Sequence, residues 1–202
     1  MHSPLETEVK IPIGEPAPVA QALETAGFAL IQPREFESNT LYDTAARDLL
    51  AKNMLIRLRQ SGSRFWITWK GPAKTGSSHK VRPEIETSIG SLEAVEQILG
   101  QLGYLPSFRY EKYRRIYQAA GAPGLITLDE TPIGNFLELE GPGPWIDSTA
   151  ARLGFSPSVY VLESYARLYL NHCARTGAKP AHMVFPSKRG SGSIRLRGGP
   201  LE

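Results

Sequence analysis

Acidic side chains recur in pairs separated by a single residue, and these pairs are the clearest chemical feature of the sequence. The pairs are Glu6 with Glu8, Glu84 with Glu86, and Glu138 with Glu140. Residues i and i+2 of a β-strand point to the same side of the sheet. Two carboxylates held side by side repel one another, and a hard divalent cation, which prefers oxygen ligands, relieves that repulsion. The pairs therefore favour a metal site.

Basic side chains show the same spacing. Arg57 and Arg59 would share one face of a strand, and so would Lys112 and Arg114. Paired bases of this kind suit phosphate oxygens, because arginine can bind two oxygens at once. Four further bases fall on strand faces of the same kind, namely Lys10, Lys70, Lys80 and Arg82. The sequence therefore indicates a site for a phosphorylated anion beside the metal.

The elements that would position these residues are mostly strands. Strands are predicted at Leu5–Ile13, Phe28–Tyr42, Met54–Gln60, Arg64–Lys70, Lys80–Ile89, Arg109–Tyr117, Gly124–Glu130 and Asn135–Glu140. Helices are predicted at Pro16–Ala26, Leu92–Leu102, Thr149–Leu153 and Tyr160–Ala174. Most links between strands are short, which favours a closed antiparallel sheet over βαβ units. The expected fold class is α+β, mainly β.

The charged strand faces have two interpretations. They could face solvent in an ordinary sheet, or they could point into a closed barrel, whose interior holds side chains or one small ligand. The repetition of like charges favours the barrel, because solvated faces usually place opposite charges side by side. The interior would then hold about seven acids and about eight bases, and burying them dry is prohibitive. It must be wet, or occupied by a metal and a polyanion, with helices covering the outside.

The composition sets broader limits. The chain has 202 residues, with 41% hydrophobic and 21% charged residues, which is typical of a globular domain. A net charge of +3 favours anionic partners without selecting among them. The single cysteine, Cys173, excludes an intramolecular disulfide and is typical of a cytoplasmic protein. No apolar run long enough for a membrane-spanning helix is present, and the first ten residues lack a signal-peptide core.

The ordered set of motifs resembles the CYTH family, the group of triphosphate tunnel metalloenzymes that includes thiamine-triphosphatase-like enzymes and class IV adenylyl cyclases. The segment from Glu6 to Lys10 has the family's E-x-E-x-K signature. The motifs that follow in order are Tyr42-Asp43-Thr44, Arg57-Leu-Arg59, Lys70-Gly-Pro, Arg82-Pro-Glu84-Ile-Glu86, Lys112-Tyr-Arg114, Leu128-Asp129, Gly134-Asn-Phe-Leu-Glu138-Leu-Glu140 and Ser164-Tyr165. The resemblance extends from about residue 4 to about residue 172, and it implies an eight-stranded antiparallel β-barrel.

The resemblance also implies a role for each charged residue. By position, the residues that resemble the metal ligands, for Mg²⁺ or Mn²⁺, are Glu6, Glu8, Asp129, Glu138 and Glu140. Those that resemble the triphosphate-binding set are Lys10, Arg57, Arg59, Lys70, Arg82, Lys112 and Arg114. Glu84 and Glu86 resemble catalytic acids that hold a second metal or orient an attacking water. Arg109 and Arg115 offer competing registers on the opposite face of their strand.

Three functions fit these residues. The first is a metal-dependent triphosphatase acting on inorganic triphosphate or on an organic or nucleoside triphosphate, and it is favoured because many CYTH proteins are phosphohydrolases. The second is a class IV adenylyl cyclase that makes cyclic AMP and pyrophosphate from ATP. The third is a non-catalytic module that binds polyphosphate or nucleotide. Hydrolysis and cyclisation use the same charged lining, so the lining residues do not distinguish them.

The domain boundary follows from where the apolar pattern ends. Residues 1–176 are predicted to form the CYTH-like tunnel domain, and residues 177–202 a mobile basic tail with few apolar residues. The expected partner is a triphosphate-containing small molecule rather than nucleic acid or a membrane. A homodimer is an open alternative to a monomer.

Overall fold

The sheet of this protein closes on itself, so that the faces of its strands become an inside and an outside. The computed structural model describes residues 5–186. The strands are β1 (Leu5–Ile13), β2 (Ala29–Asp43), β3 (Leu55–Ser61), β4 (Arg64–Lys70), β5 (Lys80–Ile89), β6 (Leu105–Gln118), β7 (Leu125–Thr131) and β8 (Gly134–Glu140). They are arranged in the order β1-β5-β4-β3-β2-β6-β7-β8, and β8 pairs with β1 to close the barrel.

Every pairing in the barrel is antiparallel. The helices lie outside and are α1 (Pro16–Thr25), α2 (Asp48–Ala51), α3 (Leu92–Gln101), α4 (Gly143–Arg152) and α5 (Tyr165–Thr176), with a short 3-10 turn at Pro157–Val159. None of the described helices combines the length and the apolar character that crossing a bilayer requires. The prediction of an eight-stranded antiparallel barrel with external helices is confirmed.

The alternation within each strand explains why the barrel has a polar interior and an apolar exterior. In β1, Val9 and Ile11 point outwards and are almost fully buried, while Glu6, Glu8 and Lys10 point inwards. The outer apolar side chains of β1, β7 and β8 pack against α1 and α4 in the largest hydrophobic cluster. Burial of this outer face supplies the main favourable free energy of folding, and it leaves the inner face free to be charged.

An aromatic cluster lies next to the interior cavity, which Tyr110 and Tyr165 also line. Tyr110 and Phe136 pack against Tyr165, the first residue of α5, and against Met183. The ring of Tyr165 lies edge-on to Phe136, with centroids 5.6 Å apart. Helix α5 begins at this point because the Ser164 side chain accepts a hydrogen bond from the backbone N–H of Arg167.

The segment that follows α5 differs from the predicted mobile tail over its first ten residues. The N–H of Met183 donates to the carbonyl of Arg109 (3.0 Å), and the N–H of Glu111 donates to the carbonyl of Met183 (2.9 Å). Pairing between β6 and β7 starts only at Tyr113. The preceding residues of β6 therefore have backbone groups on that edge that β7 does not bond, and Met183 pairs with them. Met183 is fully buried, which the sequence-based view of a polar tail did not anticipate. The rest of the predicted tail, residues 187–202, lies outside the described residues.

We expect the substitution Met183→Ala to lower the free energy of unfolding by about 2–5 kcal/mol, because it removes a fully buried side chain from the aromatic cluster. The matched control is Val184→Ala, since the neighbouring Val184 is 38% exposed. Urea denaturation of both variants measures the difference. Equal losses of stability in the two variants would show that this segment does not pack on the barrel.

Candidate active site

The predicted site residues meet in a single cavity inside the barrel. The cavity has a volume of about 560 Å³, and of the predicted site residues all except Asp129 line it. The register of β6 is also settled, because Lys112 and Arg114 point inwards while Arg109 and Arg115 do not line the cavity. Arg109 pairs with Glu111 instead, and Arg115 pairs with Glu130. The charged faces therefore point into the barrel, as the repetition of like charges predicted.

Four carboxylates line the part of the cavity formed by β1 and β8. The two strands place Glu8 opposite Glu140, and Lys10 opposite Glu138. Burial, and then the negative charge of Glu8, raise the pKa of Glu6 to about 7 even though Lys70 contacts it. The pKa of Glu140 is raised for the same two reasons. This corner of the cavity therefore has more negative charge than its bases neutralise.

Two lysines neutralise the remaining carboxylates of this wall. The Nζ of Lys10 lies 3.0 Å from a carboxylate oxygen of Glu8 and 3.1 Å from one of Glu138. Lys80, which also lines the cavity, lies 2.7 Å from Glu8. Burial alone would raise the pKa of Glu8, but these lysines hold it well below its usual range. Burial would likewise raise the pKa of Glu138, but Lys10 and Arg114 hold it far below its usual range.

The opposite side of the cavity is basic. An Nη of Arg57 lies 3.0 Å from Glu86, and an Nη of Arg59 lies 2.7 Å from the other oxygen of the same carboxylate. The guanidinium of Arg59 also stacks over Trp66, 4.6 Å from the ring centre. Burial raises the pKa of Glu86, but Arg59 and Arg57 outweigh it and bring the pKa below its usual range. Both arginines are therefore held by one acid that a bound anion could replace.

Lys70 connects the basic and acidic sides. Its Nζ lies 2.6 Å from Glu6 and 3.0 Å from Glu84. Burial would lower the pKa of Lys70, and Arg57 acts in the same direction, but the surrounding glutamates leave it above its usual value. The lysine is thus positioned between one predicted metal ligand and one predicted catalytic acid.

Asp129 does not line the cavity, although its three hydrogen-bond partners do. It is fully buried, and Arg114 donates two hydrogen bonds to its carboxylate, at 2.7 and 2.6 Å. Lys112 (2.8 Å) and the hydroxyl of Tyr165 (2.7 Å) donate to the same carboxylate. Its oxygens are therefore occupied by these three groups. Asp129 therefore orients Lys112 and Arg114 in the described structure, and its role as a metal ligand stays a prediction.

Arg82 lines the cavity, but its guanidinium is held by backbone carbonyls. Its Nε and an Nη donate to the carbonyl of Gly71, at 2.9 and 2.6 Å, and the same Nη donates to Asn53 at 3.2 Å. Gly71 and Asn53 belong to the loops that follow β4 and precede β3. Arg82 therefore fixes two loops at the rim, in addition to facing the predicted anion site.

One interior acid, Glu37, was not among the predicted site residues. It lies on β2, is 2% exposed, and is surrounded by bases of the predicted phosphate-binding set. The signal was present, because Glu35 and Glu37 show the same i, i+2 spacing as the other acidic pairs. With Glu37 included, the described interior of the barrel contains as many acids as bases.

Comparisons with known proteins agree with this architecture. A family model described as the CYTH domain matches residues 4–147. A putative adenylate cyclase of Methanocaldococcus jannaschii is 32% identical over 136 residues, which is 67% of this chain and 76% of that protein.

Two solved structures show the same fold. A putative adenylate cyclase from Vibrio parahaemolyticus aligns with a TM-score of 0.72 and 19% identity, over 83% of this chain and 98% of that chain. A putative adenylyl cyclase from Hippeastrum, described as having a dominant triphosphatase activity, aligns with a TM-score of 0.58 and 16% identity, over 87% and 97% of the two chains. The match to the family model covers all eight strands of the barrel, and of the motifs listed above only Ser164-Tyr165 lies outside it. This chain therefore belongs to the CYTH domain family.

Proposed function

We propose that this protein is a metal-dependent triphosphatase that hydrolyses a P–O–P bond of inorganic triphosphate, or of an organic or nucleoside triphosphate, bound in the barrel. One observation carries the proposal: a cavity of about 560 Å³ has a basic side and an acidic side that face each other. The volume falls within the range of small-ligand sites, about 300–1,000 Å³. Such a cavity suits a compact polyanion together with a cation.

The bases suit the anion. A triphosphate carries about four negative charges near neutral pH, by ordinary phosphate ionisation. Arg57, Arg59 and Arg114 offer planar donors to its oxygens, and Lys10, Lys70 and Lys112 offer point charges. Each of these bases already contacts an acid in the described structure, so an anion would replace existing partners rather than enter a field of free cations.

The chemistry of the acidic corner suits a divalent cation such as Mg²⁺ or Mn²⁺. Glu6 is buried and Glu140 is half-buried beside Glu8, and the pKa values of both are raised by their removal from water and by this like charge. A cation relieves that repulsion, and carboxylate oxygens are its preferred ligands. Within residues 5–186 no three carboxylates already converge as a metal site, so the side chains would have to rotate towards the ion. Glu6, Glu8, Glu138 and Glu140 would hold it.

The remaining chemistry falls to the residues of this chain. A bound divalent cation supplies charge neutralisation at the phosphate oxygens. Arg57 and Arg59 would stabilise the charge that develops as a water oxygen bonds to phosphorus and the P–O bond to the leaving phosphate breaks. Glu86, whose pKa is lowered, is suited to orienting the water. Glu84, which lies 3.0 Å from Lys70 and 4.0 Å from Arg57, is the acid that we assign to accept the water's proton.

A class IV adenylyl cyclase is the second candidate, and the names of the Methanocaldococcus and Vibrio relatives favour it. In that reaction the 3′-hydroxyl of ATP attacks the α-phosphorus and pyrophosphate leaves. The Hippeastrum protein, which carries a cyclase name and a dominant triphosphatase activity, supports hydrolysis as the first candidate. The charged lining serves both reactions, so the products have to be measured.

We expect the protein to release phosphate from a triphosphate with Mg²⁺ or Mn²⁺, and Arg57→Ala to lower kcat by about 100-fold through loss of charge stabilisation. The matched control is Arg109→Ala, because Arg109 lies on the outer face of β6 and pairs with Glu111. The assay should quantify phosphate, pyrophosphate and cyclic nucleotide separately for inorganic triphosphate, thiamine triphosphate and ATP. Cyclic AMP with pyrophosphate would establish the cyclase, and triphosphate binding without turnover would indicate a non-catalytic module.

We expect Glu6→Gln to stabilise the metal-free protein increasingly as the pH rises. The folded protein holds the Glu6 proton up to about pH 7, whereas the unfolded chain releases it near 4.5. The free energy of unfolding of the wild type therefore decreases as the pH rises through this interval, by about 2–3 kcal/mol. The glutamine variant has no carboxyl group to ionise and does not show this decrease. Thermal unfolding in EDTA at about pH 5 and about pH 8 measures the difference.

The control for this experiment is Glu130→Gln. Glu130 lies on the outer face of β7, and hydrogen bonding from Arg34 lowers its pKa. The ionised Glu130 carboxylate stabilises the folded protein equally at all pH values above the pKa that it has in the unfolded chain. The difference in stability between this variant and the wild type should therefore be the same at both pH values. A Glu6→Gln variant that follows the wild type at both pH values would show that Glu6 is not a strained carboxylate.

A further inference from the structure

The barrel interior contains a group of buried polar atoms that make no hydrogen bonds. Within the described chain these atoms are Glu37 Oε2, both amide atoms of Asn39, Arg59 Nε and Ser61 Oγ. The strand register places them together, because Glu37 is opposite Ser61 and Asn39 is opposite Arg59. All four residues lie on the wall formed by β2 and β3. An unsatisfied buried polar atom is unfavourable, so their concentration on one wall calls for an explanation.

Glu37 is the charged member of this wall, and no base bonds to it. The closest cationic atoms are Lys112 Nζ at 3.8 Å and Arg59 Nη1 at 3.9 Å, which is beyond hydrogen-bonding distance. Each base prefers another acid, since Lys112 lies 2.8 Å from Asp129 and Arg59 lies 2.7 Å from Glu86. Glu37 therefore lies next to several bases without a hydrogen bond to any of them. Only the electrostatic attraction of these bases stabilises its negative charge.

The surrounding charges show that Glu37 is ionised. Burial would raise its pKa, but Arg114, Lys112, Arg59 and Arg57 hold it below its usual value. These four bases all belong to the proposed phosphate-binding set. They exclude a second cation site at this position, because a metal would be repelled by the bases that flank the carboxylate.

We propose that Glu37 and the neutral Asn39 set the charge of the β2 wall and thereby limit the affinity of the cavity for polyanions, so that the reaction products leave. This inference deepens the proposed function and rests on it. A triphosphate bound to Arg59, Lys112 and Arg114 would lie close to the Glu37 carboxylate. The repulsion weakens binding of triphosphate and pyrophosphate alike, and weaker binding of the product shortens its residence.

The two residues allow the wall charge to be removed, doubled or moved with isosteric substitutions. We expect Glu37→Gln to bind inorganic triphosphate and pyrophosphate about tenfold more tightly, and Asn39→Asp to bind them about tenfold more weakly. The double variant, with the charge relocated by two residues on the same face of β2, should return close to the wild-type affinity. The control is Glu130→Gln on the outer face, which should bind as the wild type does.

Calorimetric titration with inorganic triphosphate and with pyrophosphate, in EDTA and again with Ca²⁺, measures these affinities without relying on turnover. Under turnover, Glu37→Gln should also be inhibited more strongly by pyrophosphate. A merely structural role for Glu37 would weaken binding in all three variants, and that result would overturn the inference. Restored affinity in the double variant would support it, because packing damage at two sites does not cancel.

The outcomes also separate the inference from the proposed function. If the wild type binds triphosphate and the variants follow the expected order, the inference stands, even if no metal supports hydrolysis and the triphosphatase proposal fails. If the wild type hydrolyses triphosphate while Glu37→Gln binds it no more tightly, the inference alone is overturned. If the wild type does not bind triphosphate in either condition, both are overturned.

Discussion

The structure depends on one constraint: charges that are removed from water must meet opposite charges. The described barrel interior holds as many acids as bases, and nearly every one of them has a partner within 4.0 Å. Taking a lone ion out of water costs several kcal/mol, so an interior of like charges alone would not fold. The fold can carry a charged interior because the apolar strand faces are buried outside it, under the helices. The outer faces of the strands therefore supply the stability of the fold, and the inner faces of the same strands carry the charged candidate site.

The same pairing means that the two expected ligands help one another. In the described structure Lys70 neutralises Glu6, and Arg59 neutralises Glu86. A polyanion that binds these bases leaves the carboxylates without partners, and a divalent cation that binds the carboxylates frees the bases. Each ligand alone would leave charge uncompensated in a buried site, whereas the two together exchange one set of ion pairs for another. We therefore expect metal and triphosphate to bind with positive coupling.

The sequence predicted the barrel and most of its lining because period-two alternation belongs to the chain itself. It predicted less well whatever depends on contacts between strands. One example is the register that places Asp129 opposite Arg114 across β6 and β7, where Arg114 donates to its carboxylate, while its role at the metal stays a prediction. Glu37 was missed because its significance comes from bases on two neighbouring strands. Helix α5 begins at Tyr165 rather than at Tyr160, because the Ser164 cap outweighs apolar spacing that extends further back.

In the proposed function the charged lining binds phosphate groups, and every triphosphate presents a chain of three of them. Discrimination among triphosphates would then depend in part on uncharged lining residues, where a nucleoside or other organic group would replace water. The aliphatic residues that line the cavity are Leu5, Leu41, Leu55, Ile116, Leu125 and Ala166. Inorganic triphosphate has no apolar surface to bury against them, whereas an organic triphosphate gains about 25 cal/mol for each Å² it buries. If the barrel binds triphosphates as we propose, contact between these residues and the ligand would therefore favour an organic triphosphate over the inorganic one.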